Sequence, residues 1–114
     1  MSQPNLGELM QKAQEVQKRM AEVQRELASR TVEGSSGGGM VTATVTGGLR
    51  VLEVKIAQSL LDSGDRSMLQ DLTAAAVNAA LANAQRMVQE ELQRASSGLG
   101  INLPGFGPTG AGGG

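Results

Sequence analysis

From Leu6 onward apolar side chains return at Leu6, Leu9, Ala13, Val16, Met20, Val23 and Leu27, in alternating steps of three and four. That spacing holds one stripe on one side of an α-helix and predicts an amphipathic helix over residues 5–29 with a heptad seam. Pro4 suits the approach to a helix start, and Gln, Glu, Lys, Arg and Ala fill the other positions, all good helix formers. A helix of this length runs about 37 Å at about 1.5 Å per residue. A compact chain of 114 residues has a radius of gyration of only about 13 Å. The helix is therefore expected to project from its body as an arm.

Beyond Thr31 the period shortens to two. Thr31–Glu33, Met40–Thr46 and Val51–Ile56 are rich in β-branched residues and predict three short strands. The second sets Val41, Ala43 and Val45 against Thr42, Thr44 and Thr46; the third sets Leu52, Val54 and Ile56 against Val51, Glu53 and Lys55. Each thus offers one apolar face to a core. Gly47-Gly48 is expected to supply positive φ to a tight hairpin, and Gly34 to Gly39 a looser, mobile connection. Ser59–Asp62 reads as one helical turn, after which Asp65 or Ser67 would cap a long helix to about Ser97. Its apolar side carries Leu69, Leu72, Ala76, Ala80, Ala84, Met87 or Val88, and Leu92. The alanines from Ala74 to Ala84 predict the tightest packing. Gly98 and Gly100 end the helix, and the Gly/Pro-rich tail over 98–114 is expected to be disordered. The fold class is α+β: α-β-β-β-(short α)-α, one domain over residues 1–97 with a three-stranded antiparallel sheet and two long projecting helices.

Composition narrows the chemistry. Cysteine and histidine are absent, which removes thiol nucleophiles, disulfides, imidazole bases and the usual transition-metal ligand sets. Ser59, Ser63 and Ser67 have no histidine to activate them, and Asp62, Asp65 and Asp71 match no calcium-loop spacing. No Gly-Lys-Ser/Thr follows the Ser35–Gly39 run, so it is no phosphate loop. No enzyme constellation, metal, cofactor or small-molecule substrate is expected. Phe106 is the one aromatic residue, which argues against base-stacking platforms. With neither a long apolar run nor the basic-then-apolar order of a secretory signal, a soluble cytoplasmic protein without membrane contact is expected.

Helices longer than the sheet they cover leave an apolar stripe exposed in a monomer, so a homodimer is expected. Its core and seam would draw on Leu6, Leu9, Val16, Met20, Val23, Leu27, Leu52, Val54, Ile56 and Leu72.

The chain resembles the YbaB/EbfC family of bacterial nucleoid-associated proteins. The likeness runs in order through LGELMQKAQEVQKRMAEVQRELA, the glycine-bounded strand Gly39–Gly47, Ser59–Asp62, the stretch Leu69–Ala80, and Ser96–Leu99 ahead of Leu103-Pro104-Gly105. It implies an intertwined homodimer whose paired helices project like tweezers, and double-stranded DNA binding without an enzymatic step. It further implies a role in nucleoid organisation, DNA protection or gene regulation.

Against that background the basic residues are Lys12, Lys18, Arg19 and Arg25 on the arm, with Arg86 and Arg94 on the last helix. As a DNA site they would neutralise phosphates and release counterions. Ten basic against eleven acidic residues give a net charge of −1, so any such site must be local. With Leu6 at heptad position a, Glu8, Glu15 and Glu22 fall at c, Lys12 and Arg19 at g, and Lys18 and Arg25 at f. Acids hold one ridge and bases two others, so screening over about 8 Å hides the far side from a duplex. The same spacings also allow helical ion pairs of Glu8 with Lys12, Glu15 with Arg19 and Glu22 with Arg25, which would make the bases mere solvated surface. A second functional class therefore stays open, a protein-interaction or chaperone-like module cradling a polypeptide between its helical arms.

Overall fold

In the computed structural model, which describes residues 5–98, α1 spans Leu6–Ser29. Asn5 fixes its start: an extended residue at φ −78°, ψ 159°, its Oδ1 accepts from the Glu8 backbone N–H at 2.7 Å. After Arg30 the chain enters β1 (Thr31–Ser36), turns through a 3₁₀ segment at Gly37–Gly39, and continues into β2 (Val41–Thr46) and β3 (Val51–Ile56). A short α2 (Gln58–Asp62) leads to α3 (Arg66–Gly98). Asp65 caps α3 by accepting from the Met68 backbone N–H at 2.9 Å. The sheet is antiparallel in the order β1-β2-β3, so the expected architecture is the observed one. The tail expected to be disordered lies, from residue 99, outside the described residues.

The core forms where α3 crosses β1 and β2. Val41, Ala43 and Val45 on β2 and Ala76, Ala80 and Ala84 on α3 are all fully buried. Alanine four residues apart lets the helix axis come close to the sheet, as the sequence predicts for this stretch. Gly34 on β1 completes the approach, because a Cβ there would stand 2.2 Å from the Ala80 nitrogen. Two side-chain bonds tie the same layers together, Ser36 Oγ donating to Leu72 O at 2.6 Å and Asn83 Nδ2 to Glu33 O at 2.8 Å.

Three local expectations are corrected. The glycine run is no loose connection: β1 continues to Ser36, with Ser36 opposite Val41, and only Gly37–Gly39 turns, all three with positive φ. At the β2–β3 hairpin the left-handed residue is Leu49 at φ 63°, not Gly47 or Gly48. Gly47 is required for space instead, since a Cβ would lie 2.0 Å from Leu27 O. Thr46 organises this turn, its Oγ1 accepting from the Gly48 and Arg50 N–H groups, both at 3.2 Å. Finally, Leu52 does not share the core face of β3. The register slips from Thr44 opposite Glu53 to Val45 opposite Val51, leaving Leu52 as the extra residue of a bulge and 53% exposed. Below the bulge Val54 and Ile56 pack against the core.

Candidate nucleic-acid interface

The arm is built from α1 and the end of α3. Leu27 O abuts Gly47, which abuts Val88; Arg30 reaches Glu91; and Arg19 and Val23 line one cleft with Arg94 and Ala95. From Leu27 near Val88 to Val23 and Arg19 near Arg94 and Ala95, descending numbers on α1 meet ascending numbers on α3, so the helices run antiparallel. Their pairing sorts the seam positions. Val23 and Leu27 are buried, Val16 and Met20 half-buried, and Leu6 and Leu9 71% and 51% exposed. From the Leu27–Val88 level, α1 continues about eleven residues, roughly 16 Å, farther than α3 does before Gly98. The molecule measures 75 × 32 × 15 Å, with a radius of gyration of 20.4 Å, far above the compact value.

Among the other seam candidates, Leu72 on α3 and Val54 and Ile56 on β3 are half-buried and pack against the core cluster, Leu72 next to Gly37 just past the end of β1. Leu52 faces solvent at the bulge. Because α3 lies chiefly over β1 and β2, an apolar groove stays open between β3 and α3, walled by Ile56, Leu69, Thr73 and Val77.

The basic candidates are all exposed. Lys12, Lys18, Arg19 and Arg25 share the arm, Lys12 toward the tip and Arg25 toward the body. Arg94 joins them across the α1–α3 cleft, whereas Arg86 lies toward the sheet, lining a separate cleft with Gly47 and Leu49. None of the three ion pairs that the helical spacings allow is formed. Arg19 turns forward to Glu22 instead, at 3.7 Å, and among the described residues no carboxylate lies within 4.0 Å of Lys12, Lys18 or Arg25. Arg94 bonds Glu91, and Arg86 Nη1 donates to Asn83 Oδ1 at 3.3 Å.

Sequence reasoning overlooked Arg30 and Arg50. Arg30 is the C-cap residue of α1 and reaches Glu91 at 3.5 Å, and Arg50 closes the hairpin turn by accepting the Thr46 N–H at 2.9 Å through its carbonyl. Neither carries a periodic signal, because each sits at an element boundary. Among the described residues no group of His, Cys, Asp and Glu is arranged to hold a metal ion, and no helix is long and apolar enough to cross a membrane.

The fold resembles the crystal structure of an uncharacterized protein from Helicobacter pylori, with a TM-score of 0.55 and 20% identity, covering 68% of this chain and 90% of that one. A nucleoid-associated protein of Acetivibrio thermocellus is 45% identical over 102 residues, covering 90% of this chain and 89% of the relative. One from Legionella pneumophila (strain Corby) is 46% identical over 97 residues, covering 85% and 86% respectively. The sequence profile of the YbaB/EbfC DNA-binding family matches residues 1–99, the arm, the sheet and α3 alike. The chain belongs to the YbaB/EbfC DNA-binding family.

Proposed function

We propose that the chain is a nucleoid-associated protein of the cytoplasm that grips duplex DNA as a homodimer and changes its conformation without a chemical step. The observation that carries this reading is the basic surface of the arm, where Lys12, Lys18 and Arg25 stand exposed and, among the described residues, no carboxylate lies within 4.0 Å of them. Cations held on a rigid helix neutralise backbone phosphates regardless of base sequence, so sequence preference is weak and the duplex is read by shape and charge. Nucleoid organisation, DNA protection and gene regulation are the roles such binding serves. The groove between β3 and α3 supports the twofold assembly, since burying Ile56, Leu69 and Val77 against a second copy removes apolar surface from water.

Lys18, Arg19 and Arg25 carry most of the phosphate contact in this reading. Replacing all three by Ala lowers affinity for random duplex at low salt by at least tenfold and flattens the log–log salt slope by about 0.9 for each lost contact. Unchanged affinity at low salt rejects the assignment. The exposed Leu6, Leu9 and Met10 at the arm tip favour the second reading, a protein partner. In that case duplex association shows no dependence on salt.

A further inference from the structure

Where α1 joins the body, its cleft with α3 is lined by Arg19, Arg30, Arg94, Glu26 and Glu91 beside Val23. Arg30 Nη1 stands 3.5 Å from Glu91 Oε1, and Arg94 Nη1 donates to that same oxygen. Two guanidinium groups from different elements therefore converge on a single oxygen atom. Arg30 is brought by the C-cap of α1, and Arg94 by the last turns of α3. The side chains of Arg30 and Arg94 remain 54% and 67% exposed, so much of each reaches solvent, while Glu91 is 26% exposed between them. At Glu91 two guanidiniums face one carboxylate, while over the whole lining Arg19, Arg30 and Arg94 face Glu26 and Glu91, with Arg19 also paired with Glu22 on its own helix.

We propose that this convergence is a receptor for a backbone phosphate of duplex DNA, closed in the free chain by Glu91, whose Oε1 occupies the place of a phosphate oxygen. Guanidinium forks bind carboxylate and phosphate through the same donor geometry, so the two anions compete for one seat. Solvent-exposed ion pairs are weak, which leaves the carboxylate open to displacement by a polyanion. Glu91 is then a positioning residue: it holds Arg30 and Arg94 side by side and also masks their charge. The contact is thus gated, contributing little until the carboxylate yields. The proposal rests on the DNA-binding reading but concerns a pair of cations distinct from Lys12, Lys18 and Arg25 on the arm.

The test is Glu91→Gln in the full chain, titrated with random duplex at 50 and 200 mM salt. The variant should bind roughly tenfold more tightly at 50 mM, with a log–log slope steeper by at most about 0.9, the one phosphate that the two guanidiniums neutralise together. The gain should vanish when Arg30→Gln and Arg94→Gln are added. A salt-dependent parent with an unresponsive E91Q overturns this proposal alone, whereas a parent without salt-dependent binding removes it together with the DNA reading. A second measurement needs no variant at the carboxylate: the guanidinium NMR signals of Arg30 and Arg94 in the parent chain should move on adding duplex and stay in place with inorganic phosphate at equal phosphate concentration. Signals that ignore duplex overturn the proposal, and signals moved equally by free phosphate reject the duplex backbone as ligand.

Discussion

Two glycines show how differently a missing Cβ can matter. Gly64 has φ 70° with nothing within 4 Å of the place a methyl would take, so an alanine there meets only backbone strain, about 1 kcal/mol. Gly47 has an ordinary φ, yet its methyl would stand 2.0 Å from Leu27 O and 2.9 Å from Leu27 C, both backbone atoms at the joint of α1 and the hairpin. Neither can move without shifting α1. Gly47→Ala is therefore expected to destabilise the fold by about 3 kcal/mol or more, against about 1 kcal/mol for Gly64→Ala. Urea unfolding of the two variants beside the parent checks the order. A milder loss at Gly47 than at Gly64 would show that α1 is not wedged against the turn.

At the scale of elements, α1 divides into a packed half and an unsupported half. Val23 and Leu27 bury themselves against the body, but the first two turns, with Leu6, Leu9 and Met10 exposed, depend on their own hydrogen bonds and on the Asn5 cap. Asn5→Ala removes that cap, worth about 1 kcal/mol. It should cost amide-exchange protection over the first two turns while leaving the global unfolding midpoint unchanged, because fraying there breaks no core contact. Loss of global stability instead would mean that the tip is packed. The sequence made this division only half legible. Heptad spacing marks Val23 and Leu27, which are buried, but the same spacing continues to the exposed Leu6, and periodicity cannot tell where a helix runs out of partner. The strands follow the same rule. Alternation placed Val41, Ala43 and Val45 inward, yet it also placed Leu52 inward, because a bulge is a mismatch between two strands and leaves no mark in either one. Likewise, spacing named which arm residues could pair, while the rotamer of Arg19 chose Glu22. Arg30 drew no notice because its partner, Glu91, is supplied by a helix 61 positions later in the chain.

For the whole molecule, the proposed homodimer lets a chain whose charges nearly cancel gather its binding energy from two arms acting together. The open groove of Ile56, Leu69 and Val77 lies on the sheet flank that α3 leaves uncovered, away from the α1–α3 cleft that holds Arg19 and Arg94. A charge introduced there should therefore break the proposed twofold assembly without touching a cation. Val77→Asp is the suitable change, because Val77 lines the groove and is only half-buried within its own chain. Its sedimentation should fall to that of a single chain while the helical content persists. Duplex binding should then weaken more than the loss of half the contacts per molecule suggests, since a second arm tethered to the first binds intramolecularly, a gain of about a hundredfold or more. The salt dependence separates the two effects. Slope counts phosphates neutralised, at about −0.9 each, so it should fall by half when one arm acts alone. A monomeric V77D that keeps the full slope would mean that a single chain makes every phosphate contact, and the paired-arm grip would have to be abandoned even though the arm cations still bind DNA.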